Sequence, residues 1–171
     1  HTDPTSTTNA MAKGARNGGA KIYRKNRVTD IKLLPSGEWK VFTENGDIIC
    51  EHVVNAAGSF CPEVGQMVGL KNIPSINMIH HYLVTDEHPE IKKLTKELPV
   101  TRDPMASAYL RQEGKGLLIG PYEMDAKTWA LDGMDWKFDM ALLEPELDRI
   151  EKHLEIGMNR IPQFKDVGIK K

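Results

Sequence analysis

The sequence predicts a mixed α/β chain (α+β mixed), with helices and antiparallel strands shared between two domains. Three observations predict it. A capped helix signal precedes three strand signals, a cluster of the smallest residues follows the last of these, and beyond Ser75 strand-like alternation resumes and ends in a long amphipathic stripe. The expected domains are residues 1–70 and 71–171.

Asp3-Pro4 reads as a helix N-cap followed by Pro at the first helical position. Met11, Ala12 and Ala15 give an apolar stripe and Gly18-Gly19 a stop, so a helix is expected over Pro4 to Asn17. Lys21 to Leu34, Glu38 to Thr43 and Asp47 to Asn55 then read as three strands. Pro35-Ser36-Gly37 separates the first two, and Asn45-Gly46, the preferred pair for a two-residue hairpin turn, separates the second and third. The meander leads into Val53-Val54-Asn55-Ala56-Ala57-Gly58-Ser59, which reads as the end of a buried strand followed by a turn that something approaches closely. Pro62 opens a short helix carrying Val64, Met67 and Val68, and Gly69 stops it.

Such a succession fits part of a nucleotide-binding α/β domain, where a meander commonly joins two parallel strands. The phosphate-binding signature is missing: no G-x-G-x-x-G lies between a strand and a helix, and Gly14, Gly18 and Gly19 sit at a helix end.

The character changes around Lys71 to Ser75. Ile76 to Thr85 alternates as one strand, with Ile76, Met78, His80, Tyr82 and Val84 on one face and Ile79, His81 and Leu83 on the other. Charged Glu87 to Glu97 reads as a solvated helix. Ser107 to Gln112 and Leu117 to Tyr122 read as a hairpin about Glu113-Gly114-Lys115-Gly116. Glu144-Pro145 starts a long helix whose Leu147, Ile150, Leu154, Met158 and Ile161 make a core stripe, ended by Pro162.

The 171 residues carry a formal net charge of −1, with no basic-aromatic interleaving for nucleic acid. No apolar run approaches the roughly 18 residues that a membrane span needs. Cys50 and Cys61 lack CxxC spacing, so buried thiols in a reducing compartment are expected in place of a disulfide or a metal site.

Few residues point to chemistry. His80 and His81, neighbours on the expected strand, point to opposite faces and so cannot share one metal. His80 and Tyr82 share a face, and read either as a pocket pair that bonds a polar substrate and moves protons or as a satisfied structural histidine and its neighbour. Tyr109 and Arg111 share a strand face opposite Ala108 and Leu110; a guanidinium beside a phenol suits a small carboxylate, and an ordinary surface arginine is the other reading. Tyr122 and Glu123 line the same pocket or simply close a turn. The acid-rich run Glu144 to Glu155 reads as the solvated face of the last helix.

Six stretches in one order span most of the chain: Asp3-Pro4-Thr5-Ser6-Thr7-Thr8-Asn9-Ala10, Val53-Val54-Asn55-Ala56-Ala57-Gly58, His80-His81-Tyr82-Leu83-Val84-Thr85, Leu98-Pro99-Val100-Thr101-Arg102-Asp103, Tyr109-Leu110-Arg111-Gln112-Glu113 and Gly120-Pro121-Tyr122-Glu123. Together they resemble the FAD-dependent amine oxidoreductases of the D-amino-acid oxidase type, and within them the dimethylglycine and sarcosine dehydrogenases. The last three resemble dimethylglycine dehydrogenase more than sarcosine dehydrogenase. The Asn-Ala-Ala-Gly turn is shared by many flavoproteins, and Phe60 stands where the family turn usually has Trp.

The resemblance implies a partial FAD-binding Rossmann-like domain with a β-meander in residues 1–70, and part of an antiparallel-sheet substrate domain in residues 71–171. Val28 would lie beside the adenine of FAD and Ala56, Ala57 and Gly58 against the cofactor. His80 and Tyr109 would match the family's active-site His and Tyr, easing amine deprotonation before hydride passes to the flavin. Tyr82, Arg111 and Tyr122 would contact a small methylated amino acid. The oxidised product would lose formaldehyde or, in a longer protein, pass its one-carbon unit to tetrahydrofolate, within choline and betaine catabolism. Electrons would leave to an electron-transfer flavoprotein or similar acceptor.

The resemblance further implies a mitochondrial matrix location in a eukaryote and a cytoplasmic one in a bacterium. It places the family's G-x-G-x-x-G segment before His1 and its C-terminal flavin-contacting segment after Lys171, so the chain reads as an internal piece of a longer enzyme. The family also holds a non-catalytic alternative, a regulatory subunit of pyruvate dehydrogenase phosphatase.

Overall fold

The computed structural model describes residues 2–170; His1 and Lys171, the outer ends of the two expected domains, lie outside the described residues. The chain divides into two compact units, one of Thr2–Asn77 with Ala130–Lys137, the other of Met78–Trp129 with residues 138–170.

The first unit opens with α1 (Pro4–Asn17), whose N-cap Asp3 accepts a hydrogen bond from the Ser6 backbone N–H while Pro4 sits in the first turn. Its expected apolar stripe is not buried: Met11 is exposed, as is nearly all of the helix. The meander forms as β1 (Val28–Leu33), β2 (Trp39–Thr43) and β3 (Gly46–Cys50), antiparallel and in that order.

Three sequence expectations are corrected here. The first strand is six residues long, since its ladder ends where Val28 meets Thr43, the last residue of β2. The tight turn is Glu44-Asn45, one position earlier than expected, and Gly46 opens β3 opposite Thr43 with a φ of 130°. The third strand ends at Cys50 opposite Trp39. Beyond it, residues 51–57 have no ladder partner among the described residues, and Val53 and Val54 are exposed instead of buried.

A 3₁₀ turn (Gly58–Phe60) leads into α2 (Cys61–Met67), with Pro62 in its first turn and Gly69 beyond its end at a φ of 81°. Cys50 and Cys61 are free thiols, each half-buried. Phe60 stacks on Trp136, ring centroids 5.0 Å apart and nearly parallel.

β4 (Asn77–Ile79), which enters the second unit at Met78, pairs with β9 (Lys127–Trp129). A four-stranded sheet runs in the order β5 (Leu83–Val84), β8 (Gly116–Pro121), β7 (Ala108–Glu113), β6 (Thr101–Asp103), antiparallel throughout. The expected single strand over Ile76 to Thr85 is therefore broken at His80–Tyr82. Its two halves serve different sheets, and the chain must leave one ladder before entering the other. The expected helix over Glu87 to Glu97 shrinks to α3 (Pro89–Lys92), with Ile91 alone buried, because the charged run supplies no stripe to pack.

The β7–β8 hairpin closes through Gly114-Lys115, pairing Glu113 with Gly116 and Leu110 with Ile119. Period-two alternation then sorts the sheet. Leu83, Ala108, Leu110, Leu117 and Ile119 fall on one face and form the core with Ile91, Ala106 and Phe164. Helix α4 (Glu151–Arg160) covers that face. It begins later than expected, after a 3₁₀ turn (Leu147–Arg149), so Leu147 is exposed while Leu154, Met158 and Ile161 pack on the core and Ile150 is fully buried. Gly157 permits the close approach: a Cβ there would stand 2.2 Å from Ile119 Cδ1.

Truncating Leu110 to Ala in this core should lower stability by about 2–5 kcal/mol. Met11→Ala on exposed α1 should change it by less than about 0.5 kcal/mol. Urea midpoints at constant slope read both, and equal effects would contradict the burial described.

Candidate functional site

The second face of the four-stranded sheet is polar and aromatic. Arg102 opposes Tyr109, and Tyr109 opposes Gly120, so the three form a row across β6, β7 and β8. The Tyr109 ring lies against the glycine: a Cβ on Gly120 would fall 2.1 Å from Tyr109 Cε1. Glycine at 120 is thus the seat of the phenol.

Arg111, two residues on, shares this face and ion-pairs with Glu113 at 2.5 Å. With Tyr82, Val84, Glu113, Leu118 and Lys170, these two residues wall an open cavity of about 460 Å³. Tyr82, Tyr109 and Arg111 are therefore brought together. Tyr122 stands beside them, its ring 5.9 Å from that of Tyr109 and 5.3 Å from the Arg102 guanidinium. His80 is next, with its ring edge-on to Tyr122 at 6.1 Å. Burial pushes the Tyr109 phenol above its usual pKa, so it stays a protonated hydrogen-bond donor through the neutral range.

The expectation that His80 and His81 point to opposite faces is corrected. The break in the strand turns both toward one carboxylate: Glu123 Oε2 lies 3.1 Å from His80 Nδ1, and Oε1 lies 2.8 Å from His81 Nδ1. Glu123, expected from the sequence either to line the pocket or to close a turn, is buried just beyond the end of β8, its side chain only 2% exposed. Arg149 Nη2 stands 3.5 Å from Oε1. Burial alone would raise the Glu123 carboxyl, yet hydrogen bonds from His81, from its own backbone and from His80 outweigh burial and hold it below the usual carboxylate range.

Nothing in the local pattern Gly120-Pro121-Tyr122-Glu123 announces this role; the only signal was an acid in a strongly apolar stretch. Lys170 on the cavity wall was also missed. It arrives through the bridge between Thr85 and Ile169 and the Lys170 N–H that donates to the Val84 carbonyl, a long-range pairing. Among the described residues, no group of three or more His, Cys, Asp or Glu side chains is arranged to hold a metal ion.

The cofactor candidates lie in the first unit. Val28, half-buried, opens β1. Ala56 and Gly58 are exposed and Ala57 half-buried. Asn55 shapes their turn, its Oδ1 accepting the Ala57 N–H at 3.2 Å and its Nδ2 donating to the Cys61 carbonyl at 3.0 Å. Gly58 has a φ of 59°, and no atom lies within 4 Å of where its Cβ would stand. This backbone is open to the close approach that the small residues led one to expect, and so fits the cofactor that the resemblance implies there.

The family model for DAO, described as FAD dependent oxidoreductase, matches residues 1–170. Among curated relatives, mitochondrial dimethylglycine dehydrogenase of Mus musculus is 45% identical over 99% of this chain and 20% of its own length. Mitochondrial sarcosine dehydrogenase of the same organism is 34% identical over 98% of the chain and 18% of its own. The chain thus spans about a fifth of the length of these relatives. Among solved structures, L-proline dehydrogenase from P. horikoshii superposes with a TM-score of 0.70 at 25% identity, over 99% of this chain and 42% of that one.

If Gly120 seats the phenol, Gly120→Ala and Tyr109→Ala are coupled by roughly 0.5–3 kcal/mol, so the double variant loses less stability than the two single losses added. Urea midpoints of the cycle read this, and strict additivity would refute the seat. A second outcome concerns acid. Because the folded carboxyl of Glu123 titrates below its unfolded value, its contribution to stability is complete above the ordinary value of 4.5 and drains away as pH falls through the lower folded one. Urea midpoints against pH should show this acid limb in the native protein and a flatter one in Glu123→Gln.

Proposed function

The chain belongs to the family of FAD-dependent oxidoreductases, and from that premise we propose that it is part of an enzyme that oxidatively demethylates N,N-dimethylglycine, with sarcosine the neighbouring substrate. The observation that carries this reading is the cavity in which Arg111, Tyr82 and Tyr109 meet, with His80 one ring away across Tyr122. Residues 1–70 form part of the cofactor domain and residues 71–171 part of the substrate domain.

Arg111 binds the substrate carboxylate, and Lys170 adds a second positive charge on the same wall. Tyr82 and Tyr122 contact the substrate, and the Tyr109 phenol orients its amine by hydrogen bonding. His80 takes the ammonium proton at Nε2, freeing the nitrogen lone pair. Val28, Ala56, Ala57 and Gly58 would hold FAD, whose flavin supplies the hydride acceptor. An electron-transfer flavoprotein or similar carrier removes the electrons, and the one-carbon unit leaves as formaldehyde or passes to tetrahydrofolate. The relatives named above are mitochondrial, which supports a matrix location in a eukaryote; a bacterial protein would be cytoplasmic.

In the full-length protein, replacing His80 by Ala or Tyr109 by Phe should slow anaerobic bleaching of the flavin by dimethylglycine by roughly 10²- to 10⁴-fold. The unaltered protein should reduce faster with dimethylglycine than with sarcosine. Bleaching that ignores both substitutions would refute the roles given to His80 and Tyr109. No bleaching with either methylated glycine would point to the non-catalytic, regulatory branch of the family.

A further inference from the structure

We propose that Glu123 is a positioning residue that fixes the tautomer of His80, taking its Nδ1–H and thereby leaving Nε2 as the open, unprotonated nitrogen. The inference comes from counting protons around one buried carboxylate. An ionised carboxylate only accepts hydrogen bonds, so each ring nitrogen set against it must carry a hydrogen. Glu123 Oε2 lies 3.1 Å from His80 Nδ1 and Oε1 lies 2.8 Å from His81 Nδ1. Both histidines therefore present Nδ1–H.

The two rings differ at their other nitrogen. His81 Nε2 accepts the backbone N–H of Glu146 at 3.1 Å, which requires a lone pair there and makes His81 a neutral Nδ1–H imidazole. Its side chain is 7% exposed. His80 has the same bond at Nδ1, but its ring is 44% exposed and lies against Tyr122, so Nε2 is left for a ligand.

Neither ring has to carry the charge that balances Glu123. Arg149 does so, with Nη2 3.5 Å from Oε1, and it is itself held by the Asp125 carbonyl at 3.1 Å and Glu146 Oε2 at 3.4 Å. The lowered carboxyl of Glu123 accords with an ionised acceptor at neutral pH.

His81 is the reference that makes the arrangement specific. An amide in place of the carboxylate offers one acceptor and one donor. His81, held by the Glu146 N–H, claims the acceptor, and the amide NH₂ is left to face His80. His80 must then accept at Nδ1 and carry its hydrogen on Nε2, which turns the outward nitrogen from acceptor to donor. That this nitrogen serves the amine rests on the function proposed above; the tautomer itself does not.

The test uses the full-length protein labelled with ¹⁵N-histidine. Long-range proton–nitrogen correlations distinguish Nδ1–H from Nε2–H imidazole at a pH where both rings are neutral. In the unaltered protein His80 and His81 should both read Nδ1–H. In Glu123→Gln, His81 should stay Nδ1–H and His80 should switch to Nε2–H. Bleaching by dimethylglycine should slow roughly 10²- to 10⁴-fold through the rate at saturation, as for other bases held in the wrong tautomer. Glu123→Asp, which restores an acceptor-only group, should return His80 to Nδ1–H and recover part of the rate.

An Nε2–H signal from His80 in the unaltered protein would overturn the proposal, and that measurement needs no variant to fold. An Nδ1–H signal from His80 that persists in Glu123→Gln would also overturn it. If the tautomers behave as stated while neither the unaltered nor the altered protein bleaches, the positioning stands and the proposed reaction falls.

Discussion

The second unit is arranged around a buried negative charge. A carboxylate with almost no exposure is tolerable only if positive charge and hydrogen-bond donors reach it, since removing such a charge from water costs several kcal/mol. Glu123 meets this demand with groups from distant parts of the chain: the segment between β4 and β5 brings His80 and His81, and the turn before α4 brings Arg149. Each of these segments is irregular at the point of contact. The strand breaks at His80, and a 3₁₀ turn carries Arg149. Regular secondary structure gives way where the charge must be met.

The sheet beside it shows how one element serves packing and chemistry together. Alternate residues of β7 divide between an apolar face, where Ala108 and Leu110 meet the core beneath α4, and an open face bearing Tyr109 and Arg111. The core fixes the sheet, and the sheet fixes the spacing of the phenol and the guanidinium. Two glycines make the arrangement possible. Gly157 lets the helix come down on one side, and Gly120 leaves room for the phenol on the other.

Local chemistry was legible in the sequence wherever the signal was local. The Asp3 cap, the Pro62 start, the β7–β8 hairpin and the pairing of Tyr109 with Arg111 on one face follow from neighbours a few residues apart. The hairpin register also implies that Gly120 opposes Tyr109, once the turn is fixed at Gly114-Lys115. What escaped depends on partners far along the chain. Val53 and Val54 have strand propensity without a ladder among the described residues to join. Ile76 to Thr85 alternates perfectly as text, yet its halves belong to different sheets. Glu123 acquires its importance only from residues about 25 and 40 positions away. The family was readable because it is written in short runs of residues, which survive where tertiary contacts cannot be seen.

The Tyr109 ring resting on Gly120 ties together the ancestry of two positions eleven residues apart. While the phenol lies where it does, every single replacement at 120 adds at least a Cβ into space that the ring already fills. Drift at 120 is therefore closed until 109 has first become small, and a lineage that keeps the tyrosine inherits the glycine with it.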